Sequence, residues 1–259
     1  MFSPMIHPRL LTAAIIAATF LTPVLPVRAQ SIADLAEAGS KREIETVVRN
    51  LLKEHPEIVR DALLALQVRE EADRNLDRVK VISEEASAIF DDPNAPVLGN
   101  PEGKLVMVEF LDYNCGYCKR AHADVMRLVE ENDNLKIVVK QLPLLGTESI
   151  DAAHVALAVH KVAPEKFPAF HSRLYTSTGP VDLARAIAVA EALGIDPGKL
   201  RPHLLGPQIA AAVSENVGQA SRLQLTGTPV FITQNDIIIG AMGYDYLKGK
   251  LQTLAASAK

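Results

Sequence analysis

The only two cysteines of this 259-residue chain, Cys115 and Cys118, stand three positions apart, and the sequence on either side of them leaves little choice of fold. Before them, Leu105 to Leu111 (LVMVEFL) is a near-continuous apolar run of strand length, as a central strand covered on both faces requires. After them, Lys119 to Glu131 has helical period, and Leu135 to Leu142 (LKIVVKQL) is a second β-branched run. Strand, turn, helix and strand in that order predict a βαβ unit with a parallel sheet. Two cysteines are too few for a disulfide-scaffold fold or a self-sufficient Cys₄ zinc module.

A thiol placed between a strand and a helix sits at the helix N-terminus, where unpaired N–H groups and the macrodipole favour an anion. A free thiol titrates near ~8.5, and such sites bring it down to roughly 3.5–7.5. Cys115 is therefore the expected nucleophile, since the thiolate is the attacking species in disulfide exchange. Cys118, one turn in and more enclosed, is the expected resolving thiol. A purely structural disulfide would close too small a loop to stabilise much. A metal site could add His122, giving Cys-x₂-Cys-x₃-His, but no fourth ligand is evident and His122 reads as an exposed helix residue.

Around this centre the chain divides by composition. Residues 1–29 hold Arg9 and Arg28 and no acid, with an uncharged run from Leu10 to Val27 and small residues at Val27 and Ala29, the pattern of a cleaved export signal. Pro23 and Pro26 interrupt the run and argue against a membrane anchor. The remainder carries 25 basic against 31 acidic residues, a net charge of −6. That balance argues against nucleic acid as a partner.

Residues 30–90 form a charged, amphipathic helical segment nearly free of Gly and Pro. Apolar residues recur at helical spacing at Ile44, Val47, Val48, Leu51 and Leu52, again at Ile58, Val59, Ala62, Leu63 and Leu66, and again at Leu76, Val79, Ile82, Ala86 and Ile89. These stripes lack partners within the segment, so they are expected to pack on the following domain or on copies of themselves, self-association being the preferred reading. Asp91 to Pro96 (DDPNAP) is a turn-rich boundary, and a domain is expected over 91–259. Its Ala-rich stretch from about 148 to 222, broken at Pro164, Gly179-Pro180, Gly194, Pro197 and Gly206-Pro207, reads as several inserted helices. Strands return at Val230–Thr233 and Ile237–Ile239 through a hairpin turn, and a last helix starts near Tyr244.

Glu109 to Lys119 (EFLDYNCGYCK) resembles the active-site segment of the DsbA-like thiol:disulfide oxidoreductases, and Thr226 to Phe231 (TGTPVF) resembles their cis-proline loop. The similarity covers residues 91–259; the helical prefix resembles the oligomerising extension of the ScsC-like (suppressor of copper sensitivity) members. The resemblance implies an α/β thioredoxin fold with an inserted helical domain. It also implies a cis bond before Pro229 and a substrate-binding edge at Thr228 beside Gly116 and Tyr117. Glu109 would lie beneath the dithiol and relay a proton to or from Cys118.

The dipeptide between the cysteines tunes the couple. Oxidising members of the family carry Pro-His; Gly116-Tyr117 supplies no charge and, with Thr228, matches isomerases of the DsbC type. The expectation is thus a periplasmic homo-oligomer, a dimer or trimer through residues 31–90, acting as isomerase or reductase on misoxidised or unfolded exported proteins. A membrane electron donor of the DsbD or ScsB type would keep it reduced, and no cofactor is required. A dithiol oxidase and a copper- or zinc-binding stress protein are the alternatives. For the latter, the histidines form no tract, and Cu(I) would have to use Cys115 and Cys118 themselves.

Overall fold

The computed structural model describes residues 32–204 and 206–257; the expected export signal, residues 1–29, lies outside them. Two compact units divide the chain, one ending at Leu63 and the other starting at Leu64.

In the first unit, α1 (Ile32–Glu54) and the opening turns of α2 (Glu57–Glu84) are built from good helix formers, with Pro56 at the start of α2, where a missing N–H is tolerated. Ile44, Val47, Val48, Leu51, Leu52 and Leu63 are all 38 to 65% exposed. Among the described residues, this stripe stays uncovered.

The second unit is a five-stranded sheet in the order β1-β3-β2-β4-β5. After the remaining turns of α2 and a short α3 (Ala86–Phe90), β1 (Val97–Gly99) pairs antiparallel with β3 (Leu135–Gln141) at one edge. The central pair, β2 (Leu105–Leu111) and β3, is parallel, joined by α4 (Gly116–Glu131). The inserted block follows as α5 (Thr147–Val162), α6 (Phe167–Thr176), α7 (Leu183–Ala192), α8 (Pro197–Leu204) and α9 (Pro207–Arg222). β4 (Val230–Thr233) returns antiparallel to β2, β5 (Asp236–Ile239) closes a two-residue hairpin, and α10 (Tyr244–Ser257) ends the described chain.

Strand alternation sends β2 side chains to two cores. Met107 and Leu111 join the larger core, with α4, α10 and the inserted helices. Val108 and Phe110 join the smaller one, which also holds Ile82, Ile89 and Phe90. The end of α2 and all of α3 thus lie on the sheet side of the break expected at 91–96. The prefix pattern therefore splits: Ile82 and Ile89 are buried on the sheet, while Leu76 and Val79 of the same stretch are exposed. Lys140 fixes this layer, its fully buried Nζ donating to the Ala88 carbonyl at 3.1 Å and pairing with Asp92 at 2.5 Å. Among the described residues, no helix is long and apolar enough to cross a membrane.

Candidate active site

The turn between β2 and α4 is held by one buried carboxylate. Asp112 Oδ1 accepts from the Asn114 amide at 2.8 Å and from Ser149 Oγ at 2.7 Å. Its Oδ2 accepts from the amides of Leu144 and Leu145 at 2.8 and 3.1 Å. Asn114 then reaches the inserted block: its Oδ1 accepts from the Val181 amide at 2.7 Å and its Nδ2 donates to the Val181 carbonyl at 3.1 Å.

So held, the chain delivers Cys115 as the N-cap of α4, in extended conformation. The helix begins at Gly116 rather than Lys119, so Gly116 and Tyr117 form its first turn and Cys118 faces inward, fully buried. Both thiols are free. Opposite them, the Thr228–Pro229 bond is cis, and the Cys115 thiol donates to the Thr228 carbonyl at 3.2 Å. The Pro229 carbonyl is taken by the Gly240 amide at 2.8 Å, tying the loop to the end of β5. A cavity of about 440 Å³ opens beside Cys115, walled by Tyr113, Asn114, Lys119, Leu145, Leu174 and Val181.

The two thiols are driven apart in acidity. The Cys115 thiol is pulled down to about 5, chiefly by the hydrogen bond from Cys118. Burial opposes this, while the Thr228 hydroxyl and the backbone amides of Cys118 and Tyr117 add to it. Burial pushes Cys118 up, and so does its bond to Cys115. A sulfur at the rim that gives up its proton readily, above one that keeps it, is what nucleophilic attack followed by resolution demands. Residues 106–252 match the DsbA-like thioredoxin domain, more than half of the chain.

The chain belongs to the DsbA-like thioredoxin family. Similar chains include proteins named for thiol-disulfide exchange and for disulfide bond formation. Residues 41–73 match a second family, the copper resistance protein ScsC N-terminal domain. A thioredoxin-like oxidoreductase from Silicibacter pomeroyi is 35% identical, the match covering 67% of this chain and 98% of that one with a TM-score of 0.62. ScsC of Proteus mirabilis in a transitional conformation is 30% identical, over 85% of this chain and 99% of that one, with a TM-score of 0.65. The Na⁺/H⁺ antiporter NhaA 1 of Salinispora arenicola is 27% identical over 63% of this chain, which spans only a quarter of the antiporter's length.

Other residues of this DsbA-like domain lie deeper. Glu109 is 2% exposed on β2, on the face that carries Met107 and Leu111, with Oε2 lacking any hydrogen-bond partner. Burial pushes its carboxyl up to about 8, and its charge in turn helps raise Cys118. Tyr117 is exposed, with the Arg120 guanidinium 4.1 Å from its ring centroid. The site therefore joins Cys115, Cys118, Thr228 and Pro229 in direct contact or succession, with Glu109 set behind them.

His122 differs from expectation. It is half-buried, its ring 5.1 Å from that of His171 and 5.0 Å from that of Tyr175. Its position four residues after Cys118 turns it toward α6, and burial lowers its pKa. Among the described residues, no group of three or more His, Cys, Asp or Glu side chains is placed to hold a metal ion. Asp112, Asn114 and the rings of Tyr113, His171 and Tyr175 were not singled out by motif. Asp112-x-Asn114 does carry a local turn signal, since an Asp side chain can accept from the amide two residues on.

Proposed function

We propose that the protein is a periplasmic disulfide isomerase or reductase that meets its substrates at the Thr228–Pro229 edge. The Cys115 thiolate attacks one sulfur of a substrate disulfide; that S–S bond breaks and the departing sulfur leaves as a thiolate that takes a proton. The mixed disulfide then has two fates. In isomerisation, another substrate thiolate attacks the substrate's sulfur and restores Cys115 with no net change in oxidation state. In reduction, Cys118 attacks Cys115 and its proton passes, with Glu109 as relay, to the departing substrate thiolate, releasing a reduced substrate and leaving an oxidised pair. A membrane dithiol donor of the DsbD or ScsB type would then return two electrons and two protons.

The observation that carries exchange is the Cys115 sulfur at the start of α4, 3.2 Å from the Thr228 carbonyl. An extended substrate can pair with that backbone edge. Two further features support isomerisation. Gly116 and Tyr117 place no charge of their own beside the thiolate. The exposed stripe over residues 44–63 is suited to self-association, which would gather several dithiols around one substrate. One observation favours the oxidase reading instead: a thiol held near 5 stabilises the reduced pair, and stabilising the reduced form is what makes a dithiol oxidising.

Refolding of a scrambled disulfide substrate distinguishes the two. The full-length chain is expected to reactivate it, and the Val47→Asp/Leu51→Asp variant, with its stripe disrupted, to do so poorly. Rapid oxidation of a reduced peptide by both chains, with no reactivation by either, would establish the oxidase.

A further inference from the structure

Among the described residues, Gln224 alone of the non-glycine residues has a positive φ, +52°. It stands just past the C-terminus of α9, where the Gln224 amide donates to the Ser221 carbonyl and the Leu225 amide to the Ala220 carbonyl. These two bonds make a Schellman turn, a place normally taken by glycine because a side chain strains the left-handed conformation. The turn opens the segment that runs through Thr226 and Gly227 to Thr228 and Pro229. Its direction sets where the edge facing Cys115 lies.

The strained turn is gripped from outside. Arg78, on α2 and only 4% exposed, donates from Nε to the Leu223 carbonyl at 3.0 Å and from Nη2 to the Gln224 carbonyl at 3.3 Å. Its Nη1 is held by Glu71 at 2.8 Å and by Asn75 at 3.0 Å, and Glu71 is itself held by Arg74. A second clamp lies one residue earlier, where Arg222 pairs bidentately with Glu85 and also reaches Glu215. Both anchors come from the segment that precedes the thioredoxin strands. A planar guanidinium suits this task because its rigid fork holds two carbonyls in one geometry, where an ammonium offers rotatable donors from a single atom.

We propose that Arg78 is a positioning residue for disulfide exchange: by holding the Leu223–Gln224 turn it sets the Thr228–Pro229 edge against Cys115. This rests on the reading that substrates pair with that edge. It makes the prefix more than an assembly device, since its last turns would govern the geometry of the reacting loop.

The test uses the full-length chain with Arg78→Met and Arg78→Lys, the second keeping the charge in case the first does not fold. Loss of the fork should raise KM for a peptide disulfide about tenfold, the equivalent of ~1.4 kcal/mol of substrate binding, with a smaller change in kcat. The midpoint of Cys115 alkylation should rise by roughly half a pH unit as Thr228 moves away. Amide hydrogen exchange should quicken at Gly227 and Thr228. Arg78→Lys should move all three in the same direction by less. A lower melting temperature with KM, alkylation midpoint and exchange at wild-type values would overturn the proposal. So would a folded Arg78→Lys chain indistinguishable from wild type. The alkylation and exchange readings need no substrate, so they stand apart from failure of the proposed function.

Discussion

The helical turns up to Leu63 and the central strands obey the same burial rule with opposite results. Val47 and Leu51 recur at helical spacing and stay 65% and 45% exposed, whereas Val108, Phe110 and Leu111 are fully buried. The strands find partners on both faces within the chain, so their apolar surface leaves water on folding. The first-unit stripe finds none among the described residues, and a contiguous apolar face of that length marks an interaction surface. Apolar periodicity thus reports which face will be covered and is silent about what covers it.

The comparison is sharpest at the one acid among the buried strand residues. Burial raises the Glu109 carboxyl from the ordinary 4.5 to about 8, so the folded chain holds that proton more tightly than the unfolded one. Its contribution to stability is complete below about 4.5 and is lost as pH rises toward 8, a fall on the order of 5 kcal/mol. Denaturant unfolding of Glu109→Gln across that range should show this slope removed. A chain whose slope survives the change owes it to another group.

Next in size, Phe110→Ala should cost roughly 3–5 kcal/mol in the same measurement, because it opens a cavity where β2 meets Ile82 and Phe90. The smallest effect is expected in the stripe. Val47→Asp/Leu51→Asp should change unfolding stability of the second unit by no more than about 0.5 kcal/mol while shifting sedimentation to a smaller species. A loss as large as that for Phe110 would show that the stripe is core after all, and the contrast between the regions would vanish.

Much of the fold was legible. The runs at Leu105–Leu111 and Leu135–Gln141, the dithiol between them and the hairpin after Pro229 all stand where their local pattern puts them, because strand burial and turn chemistry are short-range properties. Local pattern puts the start of α4 three residues late, since Gly116 and Tyr117 are weak helix formers and the Asp112 network is what fixes Cys115 as its cap. His122 reads as exposed because a lone histidine gives no sign of the rings it meets; His171 and Tyr175 lie about fifty residues on. Arg78 was equally invisible. A charged residue in an amphipathic helix reads as a solvated face, and the carbonyls it serves are 145 and 146 residues away.

The paired bonds between Asn114 and the backbone of Val181 imitate one rung of a β-ladder across the cleft. They tie the wall of inserted helices to the residue immediately before Cys115, so the wall cannot swing outward without dragging Cys115 along. Width at that point is therefore built into the fold rather than left to whatever enters.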